Sequence, residues 1–166
     1  MALSAVAAGW FLLVAVPVSL WVAYTDMSRM KITNAAVLTL FAGYVVIGPL
    51  ALPLQAYLWG FAHMIVVLVI GIALNAVGAV GAGDAKFAAA AAPMIALGDL
   101  STLLYLFALC LLGGWAIHRI ARMTPLRRLA PHWESWTSGR RFPMGLPLAM
   151  TLCAYLGLAL ATGGMA

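Results

Sequence analysis

Long apolar runs separated by short polar breaks make up this chain. Residues 2–24 are almost unbroken apolar sequence, and residues 35–54, 58–80, 100–118 and 143–162 repeat the pattern. Each run approaches the roughly 20 residues that cross about 30 Å of hydrocarbon as a helix. No basic residue precedes the first run. It therefore lacks the n-region of a cleaved signal peptide and reads as a retained helix. Pro49 and Pro53 close the second run, and Gly78 reads as a helix-packing glycine within the third. A shorter segment follows. Gly81-Ala82-Gly83-Asp84-Ala85-Lys86 breaks the apolar pattern, residues 87–97 are Ala-rich, and Gly98-Asp99 ends them. The 13 residues from Ala85 to Leu97 make about 20 Å of helix, too short to cross the hydrocarbon. The Gly81–Asp84 turn is therefore expected below the membrane surface, where irregular backbone survives only inside protein or a water-filled cavity. Alanines 88–92 would let a neighbouring helix approach closely.

The polar breaks carry the charges, and their parity predicts the topology. Arg29 and Lys31 lie in the first break and Lys86 in the third; Arg119, Arg122, Arg127, Arg128, Arg140 and Arg141 lie in the fifth. With six segments all nine fall on one side, which the positive-inside rule makes cytoplasmic. Merging residues 87–118 into one span would place the last six outside. The expected fold class is an all-α polytopic membrane helix bundle. It has six transmembrane segments and both termini outside the cytoplasm. Residues 1–166 form a single integral-membrane domain.

Composition agrees. Of 166 residues, 66% are hydrophobic and 8% charged, against about 45–50% and 25% in soluble domains. Too little polar surface exists to cover a water-facing globule, and too few residues remain for a separate soluble domain. The net charge of +5 is accounted for by topology, which argues against a nucleic-acid partner. Residues 125–138 interleave arginines with Trp133 and Trp136 and read as an interfacial helix facing anionic lipid. Cys110 and Cys153 lie in apolar runs without a CxxC, which excludes a zinc ribbon.

Four acids exist: Asp26, Asp84, Asp99 and Glu134. Asp84, behind Gly81 and Gly83, stands out. A glycine-flanked carboxylate at membrane depth admits another backbone beside it, as a protease requires, and acids at such depth are commonly functional. Asp26, just past the first run, emerges on the same side, so the two could meet in one cavity. Asp99 reads as an N-cap of the fifth helix, together with Ser101. Glu134 reads as a surface partner of nearby arginines. Other chemistries fail on inventory: no HExxH, GxSxG or GxxxxGK[ST] occurs, and no metal or cofactor is implied.

Gly81-Ala82-Gly83-Asp84-Ala85-Lys86-Phe87 resembles the GxGDxK[LF] signature of type IV prepilin peptidases, which are GxGD-type aspartic proteases. Asp26-Met27-Ser28-Arg29-Met30-Lys31-Ile32-Thr33-Asn34 is similar to that family's first motif, an Asp followed by a basic segment and I-P-N, with Thr33 in place of the Pro. Residues 142–149 resemble the proline-rich start of its last helix. The resemblance implies a bacterial inner-membrane aspartic endopeptidase with Asp26 and Asp84 as the catalytic pair. Gly81, Gly83, Lys86 and Asn34 would form the active-site loop. The paired CxxC motifs of bifunctional, N-methylating members are absent, so the chain looks like the short peptidase-only type of Flp (tight-adherence) pili; archaeal preflagellin peptidases are a close alternative. The implied partners are prepilin or pseudopilin substrates, the lipid bilayer and pilus assembly machinery. From other classes, a proton-coupled transporter would also use intramembrane carboxylates, but the sequence lacks the duplicated halves common in transporters. A non-catalytic subunit of a pilus or secretion assembly would tolerate Asp84→Asn.

Overall fold

The computed structural model describes residues 1–139 and 141–163. Six α-helices form: α1 (Ala5–Arg29), α2 (Asn34–Ala51), α3 (Leu54–Ala76), α4 (Ala82–Ala91), α5 (Leu100–Met123) and α6 (Gly145–Thr162), with no strand among the described residues. Five stretches are long and apolar enough to cross a membrane: α1, α2, α3, α6 and Leu97–Met123, which contains α5. The fourth expected span is not among them. It is the ten-residue α4, continued by single 3-10 turns at Ala92–Met94 and Leu97–Asp99.

That short segment nevertheless joins the two ends of the bundle. At its start, Gly83 packs on Ile32, between α1 and α2. At its finish, Asp99 accepts hydrogen bonds from Ala2 and Leu3. The chain therefore alternates between the two ends at every segment. The end that holds Asp26 also carries Arg29, Lys31, Lys86 and the arginine-bearing turns after α5.

Boundaries moved where the sequence pattern was blind to local hydrogen bonding. The first helix does not stop at Tyr24 but runs five residues further and ends in a left-handed residue, Met30, at φ 51°. Its buried stripe of Ala15, Val18, Ser19, Val22, Thr25 and Asp26 follows the helical repeat, so Asp26 shares the inward face of Val22 and Ser19. Pro49 does not close α2 but lies inside it, and Thr33 caps its start by accepting the Ala36 N–H. Gly78 lies outside α3. It adopts φ +74° just past the helix, and the Gly78 and Ala79 N–H groups bond back to Asn75 and Leu74. That is a Schellman ending, which favours glycine for its backbone.

The core lies along α1, where Phe11, Ala15 and Val22 meet Leu40 and Tyr44 of α2 and Leu152, Tyr155 and Leu156 of α6. Two glycines of α3 admit its neighbours. Tyr44 of α2 lies against Gly60, and Ala85 of α4 lies against Gly71. The outward faces of α3 and α5 are apolar and exposed, with Ile65, Val69, Ile72, Leu104, Leu109 and Leu112 each more than half exposed. In water such a surface would drive association; in a bilayer it is the lipid-facing surface.

Two further expectations are corrected. Residues 125–138 form no interfacial helix; they make a 3-10 turn at Pro125–Leu129 against α5 and another at Glu134–Trp136 against α1. Trp133 meets Tyr24 edge-on, and Trp136 stacks on His118 of α5 and donates to the Ala130 carbonyl. Aromatic packing and the prolines at 125 and 131 override the amphipathic pattern. Nor does Asp99 cap α5 with its side chain. Its carboxylate is buried, accepting the Ala2 and Leu3 N–H groups and the Tyr155 hydroxyl. Glu134 opens the second of those 3-10 turns, and Arg140, one of its expected partners, lies outside the described residues.

Candidate active site

Asp26 reaches the interior because α1 continues past its apolar run. Its residue is only 5% exposed, and its Oδ2 accepts the Gly145 N–H at 2.6 Å. Gly145 is the first residue of α6, so the carboxylate satisfies one of the free N–H groups at that helix start and lies at the positive end of its dipole. A Cβ on Gly145 would stand 2.9 Å from the Asp26 carboxylate. Only glycine lets the two elements meet this closely. Gly145 was not singled out from sequence; the signal was its place in the proline-rich 142–149 stretch.

Asp84 is carried by a different element. The chain leaves α3 at Gly78, and Asn75 holds the turn by donating to the Val80 carbonyl. Gly81 then becomes the N-cap of α4, which puts Asp84 at the third helical position. Its half-buried carboxylate turns back over Gly81. A Cβ at Gly81 would lie 2.6 Å from Asp84 Oδ2. Neither Gly81 nor Gly83 has a positive φ, so close approach is what requires glycine here. At Gly83 the near neighbour is Ile32, 3.1 Å from where a Cβ would stand. Gly83 thus seats α4 against the α1–α2 connection.

Asp26, near the end of α1, and Asp84, in the first turn of α4, lie at the same end of the bundle, where Gly83 packs on Ile32 just past α1. Lys86 does not approach them through a hydrogen bond. Its Nζ donates to Asn34 Oδ1 at 3.1 Å on the exposed surface, tying the second turn of α4 to the start of α2. Four of the six residues singled out from sequence thus hold the frame around the other two. Among the described residues no three His, Cys, Asp or Glu side chains gather into a metal-ion ligand set.

The sequence model of the type IV leader peptidase family matches residues 7–117. The chain belongs to the type IV leader peptidase family. No curated protein and no solved structure matches it. Membership makes this leader peptidase a hydrolase of peptide bonds with prepilins as its substrates, and its apolar helices make it a multi-pass membrane protein. The matched stretch contains both aspartates and the whole of α4, and ends before the α6 residue that bonds Asp26. An apolar groove of about 260 Å³ begins one helical turn from Asp84, at Phe87 and Ala88, and continues along Ala91 and Ala92 between α3 and α5.

Proposed function

We propose that this leader peptidase is an aspartic endopeptidase. It would cleave the short leader from Flp-type prepilins at the cytoplasmic boundary of a bacterial inner membrane, with Asp26 and Asp84 as its catalytic pair. The observation that carries the reading is the convergence, at one end of the bundle, of two carboxylates from separate helices. Asp26 is held by the Gly145 N–H, and Asp84 folds back over Gly81. Two neighbouring carboxylates cannot both ionise cheaply, so they share a proton and titrate as a unit. The ionised member takes a proton from water, which attacks the scissile carbonyl. The protonated member polarises that carbonyl and then helps protonate the leaving amine. No covalent intermediate forms. The groove beside α4 offers the apolar helix that follows a prepilin cleavage site a floor of alanines leading away from Asp84.

Six membrane crossings, with both termini outside, fit the alternation of segments between the bundle ends. The basic residues at the Asp26 end support a cytoplasmic position for that end under the positive-inside rule. The deciding experiment is cleavage of a purified Flp-type prepilin by the purified protein in detergent, with the new N-terminus read by mass spectrometry. Asp26→Asn and Asp84→Asn are each expected to abolish cleavage at near-normal protein levels. The double variant should be no worse than either single, because residues acting as a unit are non-additive. Substantial turnover by either single variant would remove the catalytic pair.

A further inference from the structure

The end of α5 holds a concentration of charge that the peptidase reading does not use. Arg119 and Arg122 stand one helical turn apart, and the chain then bends at Thr124 into the 3-10 turn that carries Arg127 and Arg128. These four arginines, with Met123, Thr124 and Pro125, line a pocket of about 620 Å³ that no acidic residue lines. Asp26, Asp84 and Asp99 are committed elsewhere, and Glu134 lines a separate cavity beside Tyr24 and Arg29. Four guanidinium groups gathered around one concavity repel one another unless an anion sits among them.

The setting selects the kind of anion. About 20 residues of α5, counted from Leu100, span the hydrocarbon, which puts Arg119 at the depth of the headgroup phosphates. Its apolar rim is Met123 in the lining and Ile120 and Leu126, next to the arginines along the chain, exposed at 79%, 59% and 55%. A site for a free anion has no use for such a rim, whereas acyl chains would cover it. Leu112 and Trp115, both more than half exposed, continue the apolar flank along α5.

We propose that this pocket is a binding site for an anionic phospholipid, the phosphate held among Arg119, Arg122, Arg127 and Arg128 and the acyl chains lying along α5. The site depends on the membrane placement of α5 and not on the peptidase chemistry, so binding and cleavage can fail separately. Native mass spectrometry of the detergent-purified full chain tests it, with phosphatidylglycerol, phosphatidylcholine and inorganic phosphate as probes. Phosphatidylglycerol should be retained at least about tenfold more than phosphatidylcholine. Arg127→Gln with Arg128→Gln should weaken that retention about 30-fold, from about fivefold per basic side chain at a membrane surface. Arg127→Lys with Arg128→Lys keeps the charge and should largely keep the lipid, which guards against a folding defect in the Gln pair. Arg29→Gln with Lys31→Gln, at the same end of the bundle but outside the pocket, should change retention less than about threefold. Equal retention of the two lipids, equal loss in the two neutralised pairs, or complete displacement of the lipid by millimolar inorganic phosphate would each overturn the proposal.

Discussion

Two glycines of similar appearance do different work. Gly78 and Gly83 flank the same turn, and the sequence suggested a packing role for the first and an open approach for the second. The geometry adds what each backbone position requires. Gly78 has φ +74° and nothing within 4 Å of where a Cβ would stand, so Gly78→Ala strains the backbone without a clash. It should cost about 1 kcal/mol of stability and leave cleavage per folded molecule unchanged. At Gly83 φ is ordinary and the obstacle is Ile32, a buried, β-branched and therefore stiff neighbour. Gly83→Ala should push the first turn of α4, and Asp84 with it, away from Asp26. The 3.1 Å approach calls for a shift of a few tenths of an ångström; since about 1 Å of misplacement costs on the order of 100-fold in rate, a loss of about threefold or more is expected. Thermal unfolding and cleavage, measured on both variants, check this. Equal activity per folded molecule would show that the seat on Ile32 does not position Asp84. The importance of the Gly81–Asp84 stretch was legible because glycines beside an acid are conspicuous in an apolar chain. Which glycine needed its φ and which needed its missing Cβ was not, because that depends on neighbours distant in sequence.

Asp99 shows the same limit between elements. Its structural character was legible from Gly98 and Ser101, but a local cap was the wrong structure. Its partners are Leu3 and Tyr155, 96 and 56 residues away, and nothing in the local pattern points to them. The carboxylate clamps the chain before α1, the turn before α5 and the middle of α6 at the end opposite the aspartate pair, and Tyr155 extends the clamp by accepting the Ala96 N–H. Asp99→Ala leaves the N–H groups of Ala2 and Leu3 and the Tyr155 hydroxyl without this acceptor in apolar surroundings. A loss of about 3 kcal/mol is expected. Asp99→Asn keeps one acceptor oxygen and should lose less. Unfolding followed in detergent measures both. Because the clamp is remote from Asp26, folded Asp99→Asn should retain most of its cleavage. A large drop in activity per folded molecule would show that the two ends are coupled. The long helices α1, α2, α3, α5 and α6 were legible from apolar run length alone. The last turn of α1 was not: Thr25 to Arg29 is polar, and only burial of Asp26 against Gly145 explains why the helix continues.

For the molecule as a whole, the proposed topology rests on the least helical segment of the six. α4 is ten residues long, about 15 Å of helix, yet with its two 3-10 turns it joins Asp84 at one end to Asp99 at the other. It manages this inside the bundle, since Ala85, Phe87, Ala89, Ala90 and Ala91 are buried among α2, α3 and α6. Irregular backbone at membrane depth is tolerable when protein surrounds it. Length and hydropathy count five spans because they treat each helix as though it met lipid alone. The segregation of Lys and Arg, which the sequence does display, favours the proposal that this segment crosses. Reporter fusions distinguish the two counts. A fusion after Asp99 should report the outside, and one within residues 127–139 the cytoplasm, because α5 intervenes. If the fusion after Asp99 reports the cytoplasm, α4 re-enters rather than crosses. Asp99 and its partners at the start of α1 and in α6 would then lie on the same side as Asp26. The hydrogen bonds from Ala2 and Leu3 to Asp99 oppose that outcome, because they place this turn beside the opening residues of α1, a whole helix length from Asp26.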